Sequence, residues 1–156
     1  MLNLVFQNFT TDKQFGEEFF KKILETAVEI LIDLKFKIYD LSSISLSVNL
    51  VGEGRIKALN KKYRHKSKVT DVLSFPMSEK LEAKSYKLKA IDLGDIFICL
   101  PFAKKEAKRE NISIDRKLAQ LTVHGFLHLV GYDHEMSAKD AKKMFELERI
   151  ILKKFY

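Results

Sequence analysis

Three of the four histidines in this 156-residue sequence fall within eleven residues, at His124, His128 and His134. His124 and His128 are four residues apart, so on a helix their rings project from one face and are close enough to share a metal ion. Gly131 is the residue type that permits a left-handed helix stop, which would turn the chain back and supply His134 as a third ligand. Three neutral imidazoles leave one coordination position open, as in catalytic zinc sites. The spacing therefore predicts a Zn²⁺ site on a helix and the turn that follows it.

The histidine spacing has two other interpretations. Three unrelated histidines, one in the core and two at a helix end, would need no metal, but the ordered spacing around a central glycine favours a metal site. The spacing also matches the metzincin protease signature, in which a glutamate directly after the first histidine acts as general base. This chain has Gly125 at that position. We therefore expect a metal site adapted to another substrate, with Glu135 and Asp133 as alternative proton acceptors, or as residues that orient an imidazole or cap a helix.

A basic segment is the candidate partner of that site. The chain carries 28 Lys and Arg against 21 Asp and Glu, a formal net charge of +7. The densest basic cluster contains no acid and comprises Arg55, Lys57, Lys61, Lys62, Arg64, Lys66 and Lys68. Such a cluster is suited to phosphates. Charge alone is equally compatible with a solvated helix face, so a phosphate-binding role needs independent support.

Composition and apolar patterning limit the class of protein. The single cysteine, Cys99, excludes an internal disulfide framework, and we expect it to be a small core residue in an apolar strand. The N-terminal residues lack the basic region and long apolar run of a secretory signal. The most apolar segment, 27–34, contains Glu29 and Asp33, and no stretch reaches the roughly 18 apolar residues that span a bilayer. We expect a cytoplasmic protein without membrane insertion.

Periodicity predicts a single α+β domain over residues 1–156, because no repeat or linker divides the chain. Apolar alternation or short apolar runs predict four strands, at 2–6, 44–51, 72–75 and 94–100. Helical periods predict five helices, at about 13–34, 53–64, 101–110, 115–130 and 137–155. Residues 77–92 have mixed charge and poor periodicity, which predicts a mobile loop bordering the site.

Local features of these helices can be checked against the structure. Thr11 and Gln14 have the spacing of a capping box at the start of the first helix. Tyr63 falls on the predicted inner side of the second helix, and Phe145 on the apolar side of the last. His65 lies inside the basic cluster and has no spacing that connects it to the three histidines, so we expect it to be exposed and not a ligand.

The segment HGFLHLVGYDH, residues 124–134, resembles the signature of the YbeY family of bacterial endoribonucleases. LNKKYRHKSKVTDVLSFP, residues 59–76, is similar to the family segment LNxxYRxKDxPTDVLSFP, and LGDIFIC, residues 93–99, resembles its LGDIVIC strand. The family's Asp and Pro in the second segment are replaced by Ser67 and Val69, which affects the loop before a strand and none of the three histidines.

The resemblance implies a small mixed β-sheet of about four strands covered by helices, with one zinc on His124, His128 and His134. It implies metal-dependent cleavage of single-stranded RNA in 16S rRNA 3′-end maturation and ribosome quality control, with the small ribosomal subunit as a partner. The functional arginine of the family falls on Arg64. A guanidinium pairs bidentately with a phosphate and stabilises charge that develops at phosphorus. Lys61 and Lys66 are further candidates for RNA contacts, through general attraction of phosphates.

Several mechanistic alternatives remain open at the sequence level. The nucleophile is either a water whose pKa zinc lowers to about 7 or the 2′-hydroxyl of the RNA. His124 and Arg64 are the candidate catalytic residues. A metallopeptidase that uses Glu135 as base is a rival from another reaction class. The third alternative is a non-catalytic ribosome-binding module, in which zinc only anchors the C-terminal helices.

Overall fold

The fold is a mixed four-stranded sheet with five helices, in a computed structural model that describes residues 1–34, 43–77 and 90–156. The strands are β1 (Leu2–Asn8), β2 (Ser43–Val51), β3 (Val72–Pro76) and β4 (Ala90–Cys99). The helices are α1 (Glu17–Asp33), α2 (Glu53–Arg64), α3 (Leu100–Glu110), α4 (Ile114–Leu129) and α5 (Ala138–Leu152). This arrangement confirms the predicted α+β class.

The sheet has the strand order β1-β2-β4-β3. The strands β1, β2 and β4 are parallel neighbours, and β3 runs antiparallel to β4 at the edge. Side chains on β4 alternate between two cores. Ile96 and Ile98 belong to the main core with α1 and α4, and Cys99 belongs to a smaller core with Ile56 of α2. The prediction that Cys99 is a core residue is confirmed.

Helix α4 is the central helix of the main core. Its residues between Leu118 and Leu129 are mostly buried against the sheet and neighbouring helices. The buried Lys117 at its start is paired with Glu110 and Glu106, at 3.0 and 3.1 Å. Because α4 is packed on several sides, its C-terminal turns hold their side chains at a defined place beside β3.

Three boundaries differ from the prediction by three residues or more. Helix α1 begins at Glu17 and not near residue 13, because Asp12 Oδ1 accepts the Gln14 N–H in a turn and Gly16 is the N-cap. The Thr11 and Gln14 capping box is therefore wrong. Strand β4 begins at Ala90, inside the predicted loop, because Ile91 pairs with Ile44 of β2. Residues 78–89 of that loop lie outside the described residues. Helix α5 ends at Leu152, a few residues before the predicted end.

Two aromatic side chains predicted to face inward are exposed. Tyr63 is 54% exposed and packs edge-on against Phe75, with ring centroids 5.1 Å apart. Phe145 is 52% exposed, because the buried side of α5 is formed by Met144 and Ile151. Among residues 1–34, 43–77 and 90–156, no helix combines the length and the hydropathy that a membrane crossing requires.

Candidate metal centre

The end of α4 brings the three histidines together. His124 and His128 lie on its last two turns, and the helix ends at Leu129. The Gly131 N–H donates to the His128 carbonyl at 3.1 Å and the Tyr132 N–H to the Leu127 carbonyl at 2.9 Å, which together form a Schellman stop. Gly131 has φ +103°, a conformation that side chains with a Cβ rarely adopt. This turn reverses the chain and places His134 beside the two helical histidines.

The three imidazoles form a compact cluster. The ring centroids are 4.7 Å apart for His124 and His128, 5.2 Å for His124 and His134, and 5.1 Å for His128 and His134. One nitrogen from each ring lies within 4.8 Å of the others. The Nε2 atoms of His124 and His128 are 3.1 Å apart. Two nitrogens bound to one tetrahedral zinc at about 2.0–2.1 Å would be about 3.3 Å apart, so this spacing fits a shared ion.

Hydrogen bonds on the far side of two rings determine which nitrogens face one another. His124 Nδ1 contacts Glu148 Oε1 at 2.5 Å, and His128 Nδ1 contacts the Tyr132 carbonyl oxygen at 2.9 Å. Both partners accept hydrogen bonds, so each ring donates from Nδ1 and, when neutral, presents a lone pair at Nε2. Two lone pairs 3.1 Å apart repel each other unless a cation lies between them. The tautomers therefore fit a metal site.

The surroundings of His128 also favour the neutral form that a metal ligand requires. Burial of the His128 ring, followed by the neighbouring His124 and His134 imidazoles, lowers its pKa. His134 Nδ1 is buried and has no hydrogen-bond partner among the described residues. An unpartnered buried nitrogen costs free energy unless a ligand satisfies it. These three histidines could hold a metal ion.

Glu148 is a residue of this site that the sequence analysis missed. Orienting an imidazole is one of the roles expected for Asp133, but Asp133 Oδ1 instead accepts the Glu135 backbone N–H at 2.8 Å. Glu148, on α5, occupies the orienting position against His124. The sequence contains a sign of this role, because Glu148 lies on the apolar stripe of α5, four residues after the buried Met144 and four before Leu152. A carboxylate that interrupts an apolar stripe in this way needs a partner.

The three histidines line a cleft of about 370 Å³, which we call the basic cleft. Its other lining residues are Asn60, Arg64, Lys66, Lys68, Thr70, Asp71, Val72, Leu73, Ser74, Asp133 and Glu135. Arg64 is the last residue of α2, and its Nη2 donates to the Ser74 carbonyl oxygen at 3.4 Å. The side chains of Arg64, Lys66 and Lys68 are exposed. The cleft therefore combines three imidazoles with three exposed cations and with the carboxylates of Asp71, Asp133 and Glu135.

The loop after α2 places the predicted basic residues unequally. His65 is the left-handed C-cap of α2, with φ 57°, and Asn60 Nδ2 donates to the Lys68 carbonyl oxygen at 3.0 Å. This turn carries Lys66 into the basic cleft. Lys61 is exposed but does not line the cleft, and His65 is exposed, as predicted, and does not line it either.

Gly125 lies where α4 approaches β3 and β4 most closely. A Cβ at this position would lie 2.9 Å from Ile96 Cγ2 and 3.1 Å from Ser74 Oγ. The Ser74 hydroxyl donates to the Gly125 carbonyl at 3.1 Å. Real Cβ contacts are longer than 2.9 Å, so a larger residue fits here only if the Ile96 and Ser74 side chains shift. The packing of α4 against β3 and β4 therefore disfavours a glutamate at the position where metzincins place their proton acceptor.

These features define an α+β protein with a candidate three-histidine metal centre at the edge of a basic cleft. A family model described as "Endoribonuclease YbeY" matches residues 5–156. A protein named Endoribonuclease YbeY from a Sulfurihydrogenibium species is 41% identical over 141 residues, which cover 90% of this chain and 86% of the relative. The protein of the same name from Persephonella marina is 37% identical over 137 residues, covering 88% and 82%. This chain belongs to the YbeY family.

A solved structure supports the same relationship. The solution structure of TM1509 from Thermotoga maritima has a TM-score of 0.61 with this chain at 27% sequence identity. The match covers 96% of this chain and 87% of that protein. The resemblance found from the sequence motifs is confirmed by these comparisons.

Proposed function

We propose that residues 1–156 act as one zinc-dependent endoribonuclease domain that cuts single-stranded RNA. We further propose that it acts in the cytoplasm on the small ribosomal subunit, in 16S rRNA 3′-end maturation and ribosome quality control. The observation that carries this proposal is the placement of Arg64 and Lys66 in the same cleft as His124, His128 and His134. Relatives named Endoribonuclease YbeY support the choice of RNA as the anionic substrate.

The donor set favours zinc. Three neutral imidazoles with no thiolate and an orienting carboxylate are typical of catalytic zinc sites. Bound zinc would supply a Lewis acid and lower the pKa of water to about 7. The role of His124, His128 and His134 is to present their nitrogens at fixed positions. Glu148 and the Tyr132 carbonyl hold the first two rings in orientation.

The cationic residues give the substrate its position. Arg64 is held at the end of α2 by its contact with the Ser74 carbonyl, and its guanidinium is exposed in the cleft. It binds a phosphate through two N–H groups and stabilises the charge that develops at phosphorus. Lys66 attracts the neighbouring phosphates from inside the cleft, and Lys61, which is exposed on α2 outside the cleft lining, adds to the general attraction of phosphates. Glu135 and Asp133 are carboxylates of the cleft that can hold a proton.

The packing at Gly125 is an argument against a peptidase. A metzincin-type base at this position would overlap Ile96 and Ser74. A peptidase would have to use Glu135, an exposed residue on the turn after α4. The peptidase alternative predicts that the protein cleaves unstructured peptides, that Glu135→Gln loses this activity, and that RNA is not cleaved. These results together would refute the endoribonuclease proposal.

The test combines metal analysis with RNA cleavage by the full chain. Purified wild-type protein is expected to contain about one zinc per chain and to cut a single-stranded oligoribonucleotide. His128→Ala is expected to lose both zinc and activity, and Arg64→Glu to lose activity and keep zinc. Matched preparations of the variants control for contaminating nuclease. Activity that persists in His128→Ala at the wild-type rate would refute the proposal, and normal rRNA maturation with a folded His124→Ala would favour a binding module.

A further inference from the structure

A second cleft shares His124 with the basic cleft. It has a volume of about 600 Å³, within the range of ligand sites, and we call it the C-terminal cleft. Its lining comes from α4, α5 and the start of β3. His124, Asp71 and Val72 line both clefts, so the two clefts adjoin at the metal centre.

Helix α5 supplies this cleft with a row of exposed side chains. Phe145, Arg149 and Lys153 follow one another at intervals of four residues, so they lie along one side of the helix and its C-cap. All three are exposed, and Phe145 has 52% of its surface accessible. The Phe145 ring centroid is 6.2 Å from that of His134. The row therefore begins beside the metal centre and leads away from it.

The charge of this row is not neutralised by carboxylates. Neither Arg149 nor Lys153 forms a salt bridge with an acidic side chain of the described segments. The two acids that line the cleft make contacts of their own. Glu148 contacts His124, and Asp71 accepts the Val72 N–H at 2.8 Å. The two cations therefore remain available to an anion from solvent.

We propose that the C-terminal cleft is a second RNA subsite, which binds the nucleotides that flank the cleaved bond. Arg149 and Lys153 contact consecutive phosphates, and Phe145 stacks against a base. An aromatic ring followed by cations is the arrangement that single-strand binding uses, because stacking tolerates any base and the cations follow the backbone. This assignment rests on the proposed function, since it extends the path of the same RNA strand.

Equilibrium binding tests the subsite independently of cleavage. The full chain, with its metal as purified, is titrated against a fluorescent 2′-O-methyl oligoribonucleotide at several salt concentrations, and the RNA is checked for integrity afterwards. Each phosphate contact on a single strand contributes about 0.7 to the slope of log affinity against log salt. Arg149→Ala/Lys153→Ala is therefore expected to flatten the slope by about 1.4. The matched control is Lys108→Ala/Lys139→Ala, two exposed lysines outside both clefts, which is expected to keep the wild-type slope.

Phe145→Ala tests the stacking contact. The ring is exposed, so its removal should leave folding intact, while RNA affinity falls about fivefold or more at an unchanged salt slope. The subsite is refuted if the Arg149 and Lys153 variant has the slope of its control, if Phe145→Ala binds like wild type, or if polyglutamate displaces the RNA as well as unlabelled RNA does. If the wild-type protein does not cleave RNA, the proposed function is contradicted. If it cleaves RNA but the Arg149 and Lys153 variant keeps the salt slope of its control, only the subsite is contradicted.

Discussion

Replacement of Glu148 tests how the metal centre is oriented. In Glu148→Gln the side chain keeps its length and an oxygen that accepts the His124 N–H, but it loses its negative charge. The carboxylate contacts His124 Nδ1 at 2.5 Å, on the side of the ring away from the other histidines. It therefore fixes the ring and makes the opposite nitrogen a stronger donor, with no need to touch the metal itself.

The expected loss follows from the usual effect of such orienting residues. Their removal lowers metal affinity about 10- to 100-fold, which is about 1.4 to 2.7 kcal/mol of binding free energy. Because the side chain is not part of the apolar core, the metal-free protein should unfold at nearly the wild-type denaturant concentration. The effect is therefore expected in metal affinity and not in stability.

Competition with a chromophoric zinc chelator measures the change. Metal-stripped wild-type protein, Glu148→Gln and Glu146→Gln are titrated side by side. Glu146 is exposed on the same helix and lines neither the basic nor the C-terminal cleft, so its variant should retain wild-type affinity. If the zinc affinity of Glu148→Gln lies within about twofold of that of Glu146→Gln, the orienting role is refuted, because the expected loss is about 10- to 100-fold.

Three further predictions follow from the packing and charges around the site. Gly125→Ala is expected to lower the free energy of unfolding by about 1 to 3 kcal/mol, because the new methyl group overlaps Ile96. Urea denaturation checks this beside Gly54→Ala, whose added carbon meets no atom of the described residues within 4 Å, and equal losses in the two variants would contradict it. Gly131→Ala should lower the free energy of unfolding by about 1 to 2 kcal/mol, because alanine rarely adopts the positive φ of this residue. It should also weaken zinc binding, because this turn positions His134. Unchanged zinc affinity would show that the turn does not position that ligand. Arg64→Lys keeps the charge but loses the planar fork, so kcat/KM for RNA should fall about 100-fold. Lys61→Ala, outside the cleft lining, should cause only a small loss, and equal losses in the two variants would reduce Arg64 to a general phosphate contact.

The parts of the site that follow from local rules could be predicted from the sequence. The four-residue spacing of His124 and His128 defines one helix face, and Gly131 is suited to the positive φ of the stop that returns His134. The bounds of α2 also agree with the prediction, because its apolar period and the residues at its two ends depend only on the local sequence. These features depend on residues within a few positions of one another.

The missed features depend on contacts between distant segments. Glu148 meets His124 only because α5 packs against α4, and no spacing rule relates residues 24 positions apart. The start of β4 at Ala90 depends on pairing with β2, which overrides the weak strand pattern of its own residues. The helical period predicts Phe145 on the apolar side of α5, but α5 turns its Met144 side inward. The C-terminal cleft could not be predicted either, because α4, α5 and the start of β3 form it only when they pack together.

An anomalous difference map at the zinc absorption edge, from crystals of the purified full chain, tests the central claim most directly. The account predicts one peak per chain, about 2.0 to 2.1 Å from a nitrogen of each of His124, His128 and His134. Its remaining coordination position should open into the basic cleft, toward Arg64. A peak bound by other residues, or one whose open side is closed off from that cleft, would contradict the account.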